Sequence, residues 1–340
     1  MIRHSTHSHA ASIEHAPLQR TRSGPGGIVG TIAKSRETTL FVVLILLILG
    51  TSLARPQFLN LQNLRDVLLN VSIVSLLTAG MTVVILMRHI DLSIGSTVGI
   101  SAYAVGSLYV AFPQMPVLVA LVAGVAIGLV AGGINALLIA VGRVPSLVAT
   151  LSTLYIFRGA DYAWVHGGQI NATSLPEAYS RLATGTVLGI PTLALIAAAV
   201  LLALSFYLKH FRAGREHYAI GSNPEAARLS GVPVRAVRMV TFIACAFLSG
   251  VAGILYVAYL PTATPSLGSA YELHAVAAAV LGGCSLQGGR GSVFGVLIGA
   301  GIMQVTFNAV NLVGRSLWQN VVAGGVILAA VIVDRFFEKK

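Results

Sequence analysis

Charged residues are scarce in this sequence. Asp, Glu, Lys and Arg make up only 10% of its 340 positions, whereas apolar residues make up 56% and the mean hydropathy is +0.83. A water-soluble globular domain of this length carries a larger charged fraction than this. The composition therefore excludes a soluble domain and indicates a polytopic membrane protein.

Cysteine is scarcer still, since Cys245 and Cys284 are the only two and both fall inside apolar segments. Neither has a second Cys or a His at the spacing of metal ligands, so both are interpreted as small buried hydrophobic residues. A Gly-x-x-x-x-Gly-Lys-Ser/Thr phosphate loop is also missing. The sequence thus predicts no catalytic residue, no metal site and no cofactor.

Acidic residues are few, with 11 Asp and Glu against 22 Lys and Arg, which gives a net charge of +11. Such an excess can serve nucleic-acid binding, but here the basic residues lie in short loops and not along one face with interleaved aromatic residues. Membrane orientation explains them better. The predicted partners therefore include membrane lipid and no nucleic acid.

Long apolar runs, bounded by charges or by Pro and Gly, predict an all-α transmembrane bundle with about ten spans, some of them short or broken. The runs lie near 39–54, 64–87, 94–112, 116–141, 145–162, 187–208, 238–260, 272–286, 292–312 and 318–334. Two of them, 39–54 and 272–286, are short for a bilayer that needs about 20 helical residues.

The first 37 residues differ from the rest, because they combine four His with Ser, Thr, Arg, Pro and Gly and show no apolar period. They predict a disordered cytoplasmic tail, 1–37, before a single transmembrane domain, 38–337. With ten spans and the N-terminus inside, 17 of the 22 Lys and Arg residues fall on the cytoplasmic side. The positive-inside rule then places both termini and the loop 209–237 in the cytoplasm.

The most informative segment lies in that loop, at 223–231. Pro224 suits the first turn of a helix, Glu225 stands where the helix dipole favours negative charge, and Ala226 and Ala227 form a shallow face before Gly231. The segment predicts a short surface helix on which a cytoplasmic protein docks. The longest external loop, 163–186, is polar enough to meet a second partner outside.

Two polar breaks interrupt the apolar runs. In the first break, 88–96, Asp91 or Ser93 could cap the following helix, or Asp91, Ser93 and Ser96 could line a pathway; both interpretations stay open. The second break, 281–292, is rich in glycine and follows Glu272 in an apolar run. Its backbone must be sheltered by protein or water, as in the broken helices around a translocation path.

Other polar residues inside the spans have two interpretations as well. They could line a path for a hydroxylated solute or hydrogen-bond neighbouring helices, and helix bonding is favoured. These residues are Asn135, Thr150, Ser152, Thr153 and Asn308. The glycines at 124, 128, 132 and 133 are interpreted as close helix packing.

Several segments together resemble the inner-membrane permeases of bacterial monosaccharide ABC importers, which include the ribose, xylose, rhamnose and autoinducer-2 permeases. The resemblance covers roughly 36–337, in register and in order. It rests on GMTVVI at 80–85, IDLSIGS at 90–96, RVPSLVATL at 143–151 with FRG at 157–159, YAIG at 218–221 leading to EAARLSG at 225–231, and YEL at 271–273 leading to VLGGCSLQGGRG at 280–291. Arg88 and His89 stand where family members often have a small or polar pair.

The resemblance implies a multi-pass protein of the bacterial inner membrane, paired with a second permease copy or a paralogue. It also implies a cytoplasmic pair of ATPase subunits docking at Glu225, Ala226, Ala227 and Gly231, and a periplasmic sugar-binding protein that delivers the solute. Such a subunit performs no covalent chemistry and converts ATPase closure into alternating access. A pentose or a deoxyhexose is expected as the solute, with autoinducer-2 as an alternative.

Two other function classes are compatible with a polytopic chain. An ion-coupled secondary transporter needs acidic residues paired with basic ones near the middle of the membrane, and the sequence offers only Asp91, Glu272 and Asp161, all near segment ends. An intramembrane enzyme needs a His/Asp or Ser/Lys constellation, and the few titratable groups are scattered. The permease interpretation is preferred to both.

Overall fold

The computed structural model describes residues 36–337 except 166–167 and 261. The predicted tail lies outside the described residues apart from its last two positions. Within the described part the chain forms thirteen α-helices: α1 (Arg36–Ala54), α2 (Leu61–Leu86), α3 (Ile94–Ala111), α4 (Val117–Ala136), α5 (Ser146–Val165), α6 (Glu177–Thr184), α7 (Thr192–His210), α8 (Arg212–Ser222), α9 (Pro224–Leu229), α10 (Val234–Tyr259), α11 (Tyr271–Leu281), α12 (Val293–Leu312) and α13 (Gln319–Phe337).

Shorter elements connect these helices. Leu137–Val141 continues α4 as a π-helical turn, and three 3-10 turns cover Pro56–Leu59, Ala172–Ser174 and Ser316–Trp318. Four two-residue strands form two antiparallel pairs: β1 (Ile170–Asn171) with β4 (Thr262–Ala263), and β2 (Thr186–Val187) with β3 (Ile190–Pro191).

Ten of the thirteen helices coincide with the ten predicted runs, and the prediction of an all-α polytopic membrane protein is confirmed. Among the described residues, seven helices are long and apolar enough to cross a membrane: α1, α2, α3, α4 with its π-turn, α7, α10 and α12. That α5, α11 and α13 also cross stays a prediction.

Two predicted runs differ from the helices more than the others do, each at one end. The run 272–286 was too long, because α11 stops at Leu281 and Gly283 takes a φ of +97°, which ends a right-handed helix. The run 187–208 began too early, because the β2–β3 hairpin occupies its first residues and α7 begins at Thr192.

Helix α10 lies at the centre of the bundle and packs against α2, α3 and α4. The close approach to α4 depends on glycine: a Cβ added at Gly128 would lie 2.7 Å from the Ala246 carbonyl oxygen, and one at Gly132 would lie 2.7 Å from Ile243 Cα. The expected packing role thus holds at Gly124, Gly128 and Gly132. It was wrong for Gly133, where a Cβ would meet nothing within 4 Å.

Candidate coupling and translocation sites

Helix α9, which we call the docking helix, is short, and hydrogen bonds cap both of its ends. The side chain of Asn223 accepts from the backbone N–H groups of Glu225 and Ala226 at 3.0 Å, and Pro224 occupies the first turn. At the other end Gly231 takes a φ of +82°. The Gly231 N–H donates to the Arg228 carbonyl, and the Val232 N–H donates to the Ala227 carbonyl. These paired bonds satisfy carbonyls that a helix end otherwise leaves free.

The outer face of the docking helix presents three kinds of side chain. Glu225 is exposed and its carboxylate lies 2.5 Å from the Arg228 guanidinium, an exposed pair worth at most about 1 kcal/mol. Ala226 is exposed and small. Leu229 is 81% exposed, a position that sequence reasoning missed because one leucine at a helix end carries no periodic signal.

Ala227 has a different position from its neighbour. It is buried against Met87, Ile220 and Val237. Its inclusion among the surface docking residues needs correction, because a methyl group packed in this way fixes the docking helix to the bundle and cannot contact a partner. An alanine face seen in sequence does not show which of its two methyl groups points inward.

Helix α8 holds the docking helix against the bundle through a buried histidine. The two ring nitrogens of His217 lie 2.8 Å from the Ala213 carbonyl oxygen and 3.0 Å from Thr241 Oγ1 on α10. Burial lowers the pKa of His217 below its ordinary value of 6.5, and hydrogen bonds to backbone offset part of that effect.

The end of α8 meets both breaks. The Arg88 side chain donates to the carbonyl oxygens of Gly221 and Ser222, and the Gly289 N–H donates to the Leu86 carbonyl at 2.9 Å. There is no room for a side chain at Gly221, where a Cβ would lie 1.8 Å from the Leu86 carbonyl oxygen. The segment that precedes the docking helix is therefore joined to the end of α2 and to the second break.

The second break shelters part of its backbone against protein, in line with what its glycines predict. Gly283, Gly288 and Gly289 all have positive φ, the Ser285 N–H donates to the Arg290 carbonyl, and the Tyr218 hydroxyl donates to the Gly291 carbonyl at 3.2 Å. Each bond satisfies a peptide group that lipid cannot.

The first break belongs to a buried polar network. Asp91 Oδ1 accepts from the backbone N–H and the hydroxyl of Ser93, Asn135 donates to Ser93 Oγ at 2.7 Å, and Thr153 donates to Asn135 Oδ1 at 2.8 Å. Thr150 donates to the Ile90 carbonyl at 3.3 Å. These bonds tie α4 and α5 to the break.

Of the two open interpretations of the first break, side-chain capping of α3 is not observed. The N–H that Asp91 accepts belongs to Ser93, which precedes the first helical residue, and the Ser93 hydroxyl donates to Asp91 instead of accepting from the helix. Ser96 donates to the Ser93 carbonyl at 2.8 Å within the same turn. All these side chains are buried, and their place in a solute path stays a prediction.

Glu272 and Asn308 lie apart from that network. Glu272 lies in the first turn of α11 and faces Gly95, near Arg158, which donates to the Leu267 carbonyl at 2.6 Å. Asn308 exchanges side-chain hydrogen bonds with Asn63 on α2. The predicted path residues therefore occupy three places. Five of them surround the first break, namely Asp91, Ser93, Ser96, Asn135 and Thr150, whereas Glu272 and Asn308 lie apart from it and from each other.

Comparison with known proteins identifies relatives over most of the chain. Residues 63–331 match the family model described as "Branched-chain amino acid transport system / permease component". The ribose import permease protein of Escherichia coli (strain K12) is 38% identical over 301 residues, covering 88% of this chain and 93% of the relative. That of Bacillus subtilis (strain 168) is 39% identical over 296 residues, covering 87% and 91%.

A third relative is named for a different solute. The autoinducer 2 import system permease protein of Klebsiella pneumoniae is 36% identical over 307 residues, covering 89% of this chain and 88% of the relative. No solved structure shows a significant match to the chain.

Proposed function

We propose a transport mechanism for this chain. The chain belongs to the family of branched-chain amino acid transport system permease components. Within that family it is a permease of the monosaccharide ABC importer type, a multi-pass protein of the bacterial inner membrane. It is a transport subunit and not an enzyme. Its partners are an ATPase and a periplasmic binding protein, as for other ABC importer permeases.

The proposed solute is a monosaccharide. The preferred candidates are a pentose such as ribose or xylose and a deoxyhexose such as rhamnose. Two of the relatives are named as ribose import permeases, which supports a pentose. Autoinducer-2 is the alternative, supported by the relatives named for its import. Uptake of radiolabelled D-ribose, D-xylose, L-rhamnose and autoinducer-2 by cells that express this chain with its ATPase and binding protein distinguishes these solutes.

The observation that carries the mechanism is the connection between the docking helix and both breaks. An ATPase seated on Glu225, Ala226 and Leu229 would move α8. Helix α8 is bonded to the first break, where Arg88 donates to the Gly221 carbonyl, and to the second break, where the Tyr218 hydroxyl donates to the Gly291 carbonyl. Closure of two ATPase subunits, one on each of two permease copies, is then passed to the broken helices. The subunit alternates between outward and inward access in response.

This mechanism requires the loop 209–237 and both termini to be cytoplasmic. The excess of Lys and Arg on that side supports the orientation. A single cysteine at Ser222, which is exposed, reports it when Cys245 and Cys284 are replaced. Labelling by an impermeant maleimide is expected only in inverted vesicles, and labelling of intact spheroplasts would reverse the topology.

Docking is tested with substitutions on the outer face of α9. Glu225→Lys places a positive charge at the positive end of the helix, at a local cost of about 0.3–1 kcal/mol, and Ala226→Trp or Leu229→Asp changes the surface that the ATPase covers. All three variants are expected to insert normally, to retain less ATPase on purification and to lose uptake.

Leu188→Asp is the matched control for Leu229→Asp. Leu188 is 98% exposed, but it lies at the tip of the β2–β3 hairpin, which the ten-span topology places on the opposite face of the membrane. The control is expected to keep both ATPase and uptake. Normal ATPase retention and uptake in all three α9 variants would refute docking at this helix.

A further inference from the structure

A polar cavity of about 430 Å³ opens at the end of the bundle opposite the docking helix. Its lining comes from the beginning of α2, the end of α10, the beginning of α11, the second half of α12 and the beginning of α13. Asn70 in this lining precedes Leu86 on α2 by sixteen helical residues, or about 24 Å at 1.5 Å per residue, and Leu86 lies against the end of α8 that leads into the docking helix. In the proposed orientation the cavity is on the periplasmic side.

One wall of the cavity is aromatic. The ring of Tyr271 lies 5.5 Å from that of Tyr256 and 5.3 Å from that of His274, and the His274 ring lies 4.6 Å from that of Phe307. The hydroxyls of Tyr256 and Tyr271 are 2.7 Å apart and satisfy one another. The rings therefore present a continuous surface suited to the C–H groups of a flat solute.

The rest of the lining is rich in amides, of which Asn308, Asn311 and Gln319 bond to neighbouring amides or backbone. Two buried side chains among the described lining residues retain unused hydrogen-bonding capacity. His274 and Gln304 are each 8% exposed, both ring nitrogens of His274 lack a partner, and the Gln304 side chain bonds to no other described residue. Buried polar groups of this kind are costly unless a ligand or water satisfies them.

Among the described residues that line the cavity, none is Asp, Glu, Lys or Arg. A solute with a full charge would lose its hydration there without a counter-charge, at a large cost. A neutral solute with several hydroxyl groups would exchange its water hydrogen bonds for those of the amides and of His274. The volume is within the ordinary range for small-molecule sites.

We propose that this cavity is the outward-facing binding site for a neutral monosaccharide, with His274 and Gln304 as its main hydrogen-bonding residues and the Tyr271–Phe307 wall as its apolar face. The inference rests on the proposed function and assigns the site of solute entry to residues other than the buried network around Asp91. Asn308 is the predicted path residue that the cavity includes.

Cysteine protection tests binding directly. Ser269 is exposed in the cavity lining, whereas Ser266 is exposed in the same loop outside it. Each is changed to Cys in a chain with Cys245 and Cys284 replaced, with ATPase and binding protein present. We expect excess D-ribose or D-xylose to slow impermeant maleimide labelling about tenfold at position 269 and to leave position 266 unchanged, while D-ribose 5-phosphate protects neither.

Uptake measurements test the two residues with unused hydrogen bonds. His274→Phe keeps an aromatic ring and removes both nitrogens, and Gln304→Leu keeps the approximate volume and removes the amide. Each is expected to lower sugar uptake about tenfold, because one unmade hydrogen bond is worth about that factor. Gln57→Leu, at an exposed glutamine on the same end of the bundle, is the control.

Membrane yield and ATPase retention show whether each variant folds. Normal uptake in both cavity variants, or equal protection at 269 and 266, with sugar transport by the parent chain intact, would overturn the cavity proposal and leave the proposed function standing. A parent chain that transports no sugar of the panel with its ATPase would overturn the proposed function, and the cavity assignment with it.

Discussion

Arg88 bonds to the last turn of α8 through the carbonyl of Gly221. The guanidinium Nε donates to the Gly221 carbonyl oxygen at 2.5 Å, although the two residues are 133 positions apart, and Nη2 donates to the neighbouring Ser222 carbonyl at 2.6 Å. The negative end of the helix dipole also stabilises a cation at this position. The first break thereby holds the arm that carries the docking helix.

Arg88→Ala should uncouple ATP hydrolysis from transport. The substitution removes two hydrogen bonds worth about 1 kcal/mol each but leaves the outer face of α9 intact. We expect the ATPase to co-purify and to hydrolyse ATP, while sugar uptake per ATP falls severalfold. Arg88→Lys should recover little, because an ammonium group lacks the planar fork that reaches both carbonyls.

Arg143→Ala is the matched control for that variant. Arg143 is also exposed with a positive φ, of 58° against 64° at Arg88, and its side chain bonds to no other described residue. The backbone cost is therefore similar in the two variants and only the contact with α8 differs. Equal transport efficiency in Arg88→Ala and Arg143→Ala would show that this contact does not serve coupling.

The sequence was sufficient for features that depend on local composition. The long apolar runs predicted the ten main helices, and Asn223, Pro224 and Gly231 mark the ends of the docking helix as helix-capping rules require. Features that depend on distant contacts were not predictable. The partner of Arg88, the inward direction of Ala227 and the cavity formed by five helices all require the chain to be folded first.

The first break also shows that sequence alone does not identify the hydrogen-bond partners of a polar side chain. Asp91 and Ser93 are good capping residues by type, but Asn135 and Thr153 from two other helices complete a network that uses the Ser93 hydroxyl. A tertiary hydrogen bond thus displaced the local one. The sequence offered these residues as candidates for hydrogen bonding or for lining a path, but it did not show which of them are partners.

Gly289→Ala should weaken the contact between the second break and α8. The glycine has a φ of +71°, and a Cβ would lie 2.6 Å from Ser222 Oγ and 3.1 Å from Ser222 N. Gly314→Ala has the same backbone strain, with φ at +76°, but its Cβ would meet nothing within 4 Å. We expect both variants to lose about 1–2 kcal/mol from backbone strain and only Gly289→Ala to lose uptake; equal uptake would exclude a steric role.

Gly132→Ala and Gly133→Ala should have opposite consequences although the two positions are adjacent in α4. A Cβ at 132 would lie 2.7 Å from the α10 backbone, so overpacking should cost about 1–3 kcal/mol. At 133 the added methyl group is unopposed, and helix propensity favours Ala by about 1 kcal/mol. Thermal unfolding in detergent should give a lower Tm for the first variant and an unchanged or higher Tm for the second; a similar Tm for both would contradict the packing of α4 on α10.

Acidification should loosen the arm that carries the docking helix, through His217. Because burial lowers the pKa of His217 from 6.5, its stabilising contribution is complete above that pH and is lost as pH falls towards the lower folded-state pKa. The protonated ring would carry a positive charge in a buried position, where it is poorly solvated. Amide hydrogen exchange across 212–229, corrected for intrinsic rates, should accelerate between about pH 7 and about pH 5.

His217→Gln is the control for this prediction, because it retains a hydrogen-bonding side chain without a titrating ring. Its amide exchange should not change over that pH range beyond the intrinsic correction. An equal acceleration in both proteins would assign the effect to another group.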